Sequence, residues 1–339
     1  MRIGFETNLC CPKCRANVLL NSGYTTRDSR VFEGSLVCSE HGVIFRIVES
    51  IVVEELQLDE ALQAVSNFWT SHVCGGEWNE ERKQFEDLRK YRYETHPWLS
   101  EVAEFDKHKQ DRVMEIGCSQ GIDMVEFLNM GVKEYIGVDL SFKSLLLARR
   151  RLEHFGLYHL PVTLLCSNAE NLPFAPAIVD YVYSYGVIHH SADTLRAIKS
   201  IESTLRPGGK LTAMYYYKYS LTALIEGFTR LLNRALMVLT GNQNTFWKLC
   251  RKLPYKPAIG PYRKFLDTGY SAILHAPFAH TFSKSESHIM FAAFRIESLK
   301  LYNLSPIVRP FLGKVFGRKT VAYLASWIGW DLVIKGSRI

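Results

Sequence analysis

Between Arg112 and Lys218 short apolar runs alternate with longer stretches in which apolar residues recur every three or four positions. Runs of the first kind, "RVMEIG", "EYIGVD", "PVTLLCS", "IVDYVYSYGVI" and "KLTAMYYYK", predict strands. The stretches between them, "GIDMVEFLNMG", "SFKSLLLARRRLEHFG" and "SADTLRAIKSIESTLRPGG", predict helices. Gly131 closes the first helix. Ser141 and Gly156 suit the N-cap and C′ positions of the second, Ser191 suits the N-cap of the third, and that helix ends before Pro207. Regular alternation of this kind predicts an α/β fold, a Rossmann-like doubly wound parallel sheet with helices on both faces. A ligand then binds at the carboxyl ends of the strands, where strand order reverses. "FRIESLKLYNL" and "GWDLVIKGSRI" read as strands that finish the sheet, the last antiparallel.

The flanking segments read differently. Residues 1–55 are short strands and turns with clustered cysteines, and residues 56–110 are helical and dense in charge. Residues 218–270 form an insertion in which Leu221, Leu224, Ile225, Phe228, Leu231, Leu232, Leu236 and Leu239 fall at helical spacing. Residues 111–217 and 271–339 are then the ligand-binding domain.

Composition narrows the class. Of 339 residues 47 % are hydrophobic and 22 % charged, ordinary for a globular enzyme. The N-terminus lacks an apolar signal core, and the most apolar stretch, "SLTALIEGFTRLLNRALMVL", is broken by Glu226, Arg230 and Arg234. The expected location is the cytoplasm, where eight cysteines are metal ligands or buried thiols rather than a disulfide framework. Charge is uneven: residues 1–217 carry 23 Lys/Arg against 29 Asp/Glu, and residues 218–339 carry 18 against 5. The last third is thus suited to something anionic, or is a solvated basic surface that balances the rest.

"CCPKC" and "LVCSEHG" supply two pairs with two residues between the members, Cys11 with Cys14 and Cys38 with His41. Such pairs build a tetrahedral site of three sulfurs and one nitrogen for a structural Zn2+, with Cys10 in place of Cys11 after a one-residue slip. Four protein ligands leave no open position for a substrate. Cys74, Cys118, Cys166 and Cys250 are isolated and read as packing residues.

The turn "VMEIGCSQG" leaves a strand at Gly117 and enters a helix at Gly121. Cys118, Ser119 and Gln120 offer backbone N–H groups between them. Asp139 ends the next strand, where an acid accepts hydrogen bonds from both hydroxyls of a ribose. A pyrophosphate would be repelled by Glu115, directly before the turn. A sulfonium and an ammonium would be attracted, which favours S-adenosylmethionine over a dinucleotide.

These residues, with "NAENLPF" and "VDYVYSYGVIHHSADTLRAIKSIESTLRPGGKL", resemble the class I S-adenosylmethionine-dependent methyltransferases, within them the ubiquinone/menaquinone-methyltransferase-like branch that acts on small molecules. The resemblance implies a seven-stranded sheet. It implies that Glu115, Gly117, Cys118, Ser119 and Gly121 line the methionine part and ribose, that Asp139 holds the ribose with Leu140 against the adenine, and that Asn168, Ala169 and Glu170 edge the adenine. Tyr185 would face the sulfonium, where an aromatic face suits a cation. Ser119 replaces a frequent Gly and Asn168 a usual Asp. The N-terminal segment resembles the small zinc-ribbon modules fused to some methyltransferases.

On the acceptor side, His189 and His190 precede a helix start whose positive end disfavours a protonated imidazole, so either is a candidate base. The Asn/Asp-Pro-Pro-aromatic run of exocyclic-amine methylation is absent. Lys218 to Lys264 carries nine basic residues and one acid. It fits a lid over an amphipathic or anionic acceptor, a helix lying on an anionic membrane surface, or a helix packed on the core. The expected activity is methyl transfer to a small-molecule acceptor, whether anionic, lipid-like or a secondary metabolite. An rRNA methyltransferase with a zinc ribbon is the first alternative, with RNA less favoured as a partner because residues 1–110 are acidic. A catalytically silent binding protein of the same fold is the second.

Overall fold

The computed structural model describes residues 1–55, 59–73, 83–224, 276–304 and 309–339, with a few single positions between 225 and 239. Most of the 218–270 insertion, with Ile225, Leu232 and Leu236, lies outside the described residues, as do Cys74 and Cys250.

Thirteen strands form one sheet: β1 (Leu19–Leu20), β2 (Thr25–Arg27), β3 (Arg30–Cys38), β4 (Gly42–Val48), β5 (Ile51–Glu54), β6 (Arg112–Ile116), β7 (Glu134–Asp139), β8 (Val162–Cys166), β9 (Val179–Tyr185), β10 (Leu205–Tyr217), β11 (Thr281–Phe282), β12 (Phe294–Tyr302) and β13 (Asp331–Arg338). Their spatial order is β1-β3-β4-β5-β8-β7-β6-β9-β10-β13-β12, with β2 on β3 and β11 on β10. The seven strands from β8 to β12 in that order are the expected doubly wound sheet. β8, β7, β6, β9 and β10 are parallel, and β13 runs antiparallel to both β10 and β12. The chain leaves β6 toward β7 on one side and returns to β9 on the other, so order reverses at β6.

The helices are α1 (Glu60–Ser71), α2 (Lys83–Thr95), α3 (Leu99–Ala103), α4 (Ile122–Asn129), α5 (Phe142–His154), α6 (Thr194–Thr204), α7 (Lys284–Met290) and α8 (Arg309–Ile328), the last kinked at Gly317. Local sequence explains several ends. Ser141 caps α5, accepting from the Ser144 N–H at 3.2 Å, and Gly156 follows it with φ 67°. The α6 cap is Asp193, not Ser191: the carboxylate accepts from the Arg196 N–H at 2.9 Å, while Ile188–His190 form a 3-10 turn that ends at Ser191. The α6 helix stops at Thr204, and Pro207-Gly208-Gly209 already belong to β10, as an irregularity in its pairing with β9.

The N-terminal strands are contiguous with this core. β5 pairs parallel with β8, so the antiparallel β3–β4–β5 meander extends the central sheet. Arg30, only 5 % exposed, fastens the join by donating to the carbonyls of Tyr158 at 2.7 Å and Val162 at 2.6 Å.

Candidate functional site

A cavity opens at the carboxyl ends of β6, β7 and β9, under α1 and α2. Its walls include Glu115, Gly117, Cys118, Ser119, Asp139, Leu140, Asn168, Ala169, Glu170, Tyr185 and His190. Gly121 lies at the mouth of α4 as its N-cap.

The turn needs its glycines. Gly117 has φ 74° and a Cβ there would collide with Val187; Gly121 has φ 72° and a Cβ there would collide with Met124. Ser119 also sits in the left-handed region, φ 47°, which accounts for glycine being frequent at this place. Its N–H donates to one Asp139 oxygen at 2.8 Å, and the Ser141 N–H donates to the other at 2.8 Å. The useful group at 119 is therefore the backbone. Ser119→Gly is expected to leave S-adenosylhomocysteine binding unchanged in a calorimetric titration and to raise stability by up to about 1 kcal/mol. A clear loss of affinity would instead assign the hydroxyl a contact with the ligand.

Burial pushes the Asp139 carboxyl up to about 6, against the backbone N–H donors of Ser141, Ser119 and Leu140. Burial raises the Glu115 carboxyl well above its usual range, with Asp123 adding to the effect; Glu115 accepts from the Tyr135 hydroxyl. The Asn168 side-chain oxygen accepts from the Glu170 N–H at 3.1 Å and caps the turn Ala169–Asn171. Glu170 accepts from the Asp193 N–H at 3.2 Å, which ties that turn to the start of α6.

Tyr185 is held from both sides. Its hydroxyl donates to Asp331 at 2.6 Å and accepts from the Trp98 indole at 2.8 Å, and the Arg92 guanidinium lies 5.7 Å above its ring.

The two histidines differ. His189 is fully buried, packs against Tyr216 and is not part of the cavity wall; neither ring nitrogen has a partner among the described residues. His190 is in the wall, edge-on to Trp69 at 5.0 Å. Its Nδ1 lies 2.6 Å from the Phe278 carbonyl, which can only accept, so Nδ1 carries the proton and Nε2 is an acceptor. Burial holds His190 down at about 4, so it is neutral at pH 7. The helix dipole is not needed to explain this.

Three features of the site lie in residues that the sequence pattern did not single out. Trp69, Tyr91 and Arg92 roof the cavity from α1 and α2. Asp123 of α4 accepts from Arg92 Nε at 2.7 Å and the Tyr93 hydroxyl at 2.8 Å, with the Tyr183 hydroxyl at 3.3 Å. Arg151, fully buried, donates to the Gln120 carbonyl at 2.8 Å and the Phe85 carbonyl at 3.1 Å, joining the cofactor turn to α2. The "DxxxF" start of α4 gave no hint of this, because its carboxylate points into a partner that arrives from a distant helix.

A second cluster stands apart. Cys11, Cys14, Cys38 and His41 present ligand atoms all within 4.8 Å of one another. Cys11 and Cys14 come from a turn closed by the Arg15 N–H donating to the Cys11 carbonyl at 2.8 Å, and Cys38 and His41 from the β3–β4 hairpin. The Cys14–Cys38 sulfurs are 3.7 Å apart, and His41 Nδ1 is 3.6 Å from Cys11 Sγ and 3.7 Å from Cys38 Sγ. A tetrahedron with Zn–S of about 2.3 Å and Zn–N of about 2.05 Å has edges of about 3.8 and 3.6 Å, so the donors fit zinc. The His41 contact and backbone N–H groups of Glu40 and His41 hold the Cys38 thiol down at about 6, as a ligand thiolate requires. Cys10 lies outside the cluster, its N–H donating to the Pro173 carbonyl.

Residues 114–213 match the family described as a methyltransferase domain. The tRNA U34 carboxymethyltransferase of Campylobacter hominis is 35 % identical over 100 residues, 30 % of this chain and 34 % of that protein. The enzyme of the same name from Azotobacter vinelandii is 33 % identical over 103 residues, 30 % and 31 % of the two chains. The chain thus spans about a third of the length of the curated relatives it matches. The geranyl diphosphate C-methyltransferase of Streptomyces coelicolor A3(2) superposes with a TM-score of 0.51 at 12 % identity, covering 83 % of this chain and 98 % of that one, a likeness of fold alone. The strand order, the glycine turn with its acid on the next strand, and the family match together make residues 114–213 a class I S-adenosylmethionine-dependent methyltransferase domain.

Proposed function

We propose that the protein transfers a methyl group from S-adenosylmethionine to a small-molecule acceptor with an apolar body, as in the ubiquinone/menaquinone-methyltransferase-like branch. The observation that carries the choice of donor is the charge of the cavity, and the apolar roof of Val65, Trp69 and Leu88 supports an acceptor with an apolar body. Asp123, Asp139 and Glu170 line the wall beside its one guanidinium among the described residues, Arg92, which Asp123 already engages, and Glu115 adds a buried carboxyl that a bound cation would favour in its ionised form. Such a wall attracts a ligand that bears a sulfonium and an ammonium. The named relatives transfer a carboxymethyl group to tRNA. A carboxylate on the transferred group would call for a further cation; among the described residues of the wall the one guanidinium, Arg92, is engaged by Asp123, which favours methyl transfer here.

S-adenosylmethionine supplies an electrophilic methyl group. Asp139 would accept from the ribose hydroxyls, and Glu115 would face the cationic methionine end. The backbone of Gly117, Cys118, Ser119 and Gly121 lets the ligand approach. Leu140 and Ala169 would flank the adenine, with Asn168 and Glu170 at its edge. Tyr185, clamped by Trp98 and Asp331, would offer its ring to the charged centre. Trp69, Val65 and Leu88 shield the site from water. His190, whose Nε2 is the acceptor nitrogen, orients a donor on the acceptor; held near 4, it is a weak proton acceptor, so its role is positioning. Residues 1–55 act as a structural zinc-binding module on Cys11, Cys14, Cys38 and His41, residues 56–110 as the roof, and residues 218–270 as the acceptor-side insertion.

The first test is titration with S-adenosylhomocysteine, in which Asp139→Ala abolishes the heat of binding. Wild-type affinity is expected to be full above pH about 6 and to fall by up to tenfold per unit below it, because only the ionised carboxylate accepts both hydroxyls. A flat profile from pH 5 to 8 would remove Asp139 from that role. The names of the relatives support tRNA as a second reading of the acceptor. Labelled methyl groups offered with a metabolite extract and with a tRNA fraction separate the two.

A further inference from the structure

The stretch of wall that carries Asn168, Ala169 and Glu170 is fastened to the N-terminal strands at both ends. Its far end runs to Ala175. There the Cys10 N–H donates to the Pro173 carbonyl at 2.9 Å, the Ala175 N–H donates to the Asn8 carbonyl at 2.9 Å, and Leu9 bridges Phe174 as an antiparallel pair. Its near end is Ser167, the first residue after β8. β5 lies parallel to β8, with Val52 level with Leu165 and Val53 with Cys166, so the last residue of β5, Glu54, comes level with Ser167. The Ser167 hydroxyl donates to the Glu54 carboxylate.

β5 reads "IVVE", three apolar residues and then a carboxyl only 8 % exposed. A leucine would close the strand at lower cost, because a buried carboxyl is unfavourable unless it is hydrogen-bonded. Ser167, which it engages, is 1 % exposed and lines the cavity. The Ser167 N–H donates to the Asp139 carbonyl at 3.1 Å, so this residue is held toward β7 by its backbone and toward β5 by its side chain. Burial raises the Glu54 carboxyl to about 7, with the Ser167 hydroxyl and Arg15 opposing. Whether or not the carboxyl holds a proton, a hydrogen joins the two side chains, so the link persists through that titration.

We propose that Glu54 is a positioning residue of the cofactor cavity: through Ser167 it fixes the start of the Asn168–Glu170 turn, where the adenine end of S-adenosylmethionine is received. The proposal rests on the methyl-donor reading of the cavity. Without Glu54, Ser167 is held from the β7 side alone, and Asn168, whose oxygen caps the turn, follows it directly. A wall displaced by a few tenths of an ångström loses ligand affinity before it loses the fold, because binding depends on preorganisation. Residues 1–55 thereby complete the cofactor cavity as well as extending the sheet.

The experiment is calorimetric titration of the full chain with S-adenosylhomocysteine, beside a melting curve for each protein. The proteins are the wild type, Glu54→Gln, Glu54→Leu, Ser167→Ala and the double variant Glu54→Leu/Ser167→Ala. Glu54→Leu and Ser167→Ala are each expected to weaken binding about tenfold, with melting close to wild type. Glu54→Gln keeps an oxygen that accepts from Ser167 and is expected to stay within about threefold of wild type. The double variant is expected to bind no more weakly than Ser167→Ala alone, because the two side chains act as one unit. A residue that serves only the fold gives the reverse pattern, lower melting with full affinity, and that result overturns the proposal. Losses that add in the double variant overturn it as well. If Glu54→Leu does not fold, Ser167→Ala decides, and unchanged affinity there overturns the proposal. A wild type that does not bind S-adenosylhomocysteine removes the methyl-donor reading and the proposal together, whereas wild-type binding with variants at full affinity removes the proposal alone.

Discussion

Asp123→Ala is expected to cost about 3 kcal/mol in urea denaturation, near the lower end for breaking a buried ion pair. The carboxylate is 1 % exposed and the Arg92 guanidinium 26 %. Its loss strands a charge that is mostly enclosed and removes the acceptor of the Tyr93 and Tyr183 hydroxyls. Arg92 retains some access to water, which keeps the cost from the upper end. The effect reaches function, because Arg92 and Tyr93 belong to α2, and α2 roofs the cavity. S-adenosylhomocysteine affinity should therefore fall in the folded variant. Asp123→Asn retains an acceptor and should fall between the two. A cost below about 1 kcal/mol would show that the ion pair is not what fixes α2.

Removing the metal should have the second large effect. The zinc-loaded chain is expected to carry one zinc by elemental analysis, and Cys38→Ser is expected to carry none. Structural zinc in small peptides contributes about 10–16 kcal/mol of apparent binding free energy. Here β3 and β4 also belong to a wide sheet, so only part of that is lost, with about 3 kcal/mol or more expected from melting with and without a chelator. Arg15 follows Cys14 directly. It donates to the Leu172 carbonyl at 3.0 Å and the Phe174 carbonyl at 2.7 Å, just beyond the Asn168–Glu170 turn. Loosening the metal turn should thus weaken S-adenosylhomocysteine binding several-fold as well. A zinc-free chain with unchanged melting and affinity would make the cluster incidental.

Much of the domain was legible because its signals are local. "EYIGVD" is β7, residue for residue, since a continuous apolar run between turn residues has few other solutions. The glycines of the turn were legible because only the backbone conformation is at stake there. The cysteine and histidine spacing was legible because a tetrahedral site imposes it. The roof was not. Nothing in "FWTSH" or "LRKYRYE" says that Trp69 and Arg92 meet the carboxyl ends of strands that follow them by dozens of residues. Nor does "HH" say which imidazole faces the cavity; a 3-10 turn decides that, placing His190 in the wall and His189 behind it. The continuation of the sheet through β5 was hidden for the same reason, because pairing between strands so far apart leaves no periodic mark.

That continuation also settles where the sheet ends on the β8 side, opposite β12. β8 is buried at every position from Val162 to Cys166 and apolar at all but Thr163, a strand built for the middle. Without β5 beside it, its N–H and C=O groups would form a bare template for pairing with other chains. The outer margin is instead β1 and β2, two and three residues long and partly or wholly exposed, on which little can be built. The β3–β4–β5 meander that carries half of the cysteine–histidine cluster thus doubles as a guard against self-association. A chain cut back to the methyltransferase domain would lose solubility before it lost its glycine turn.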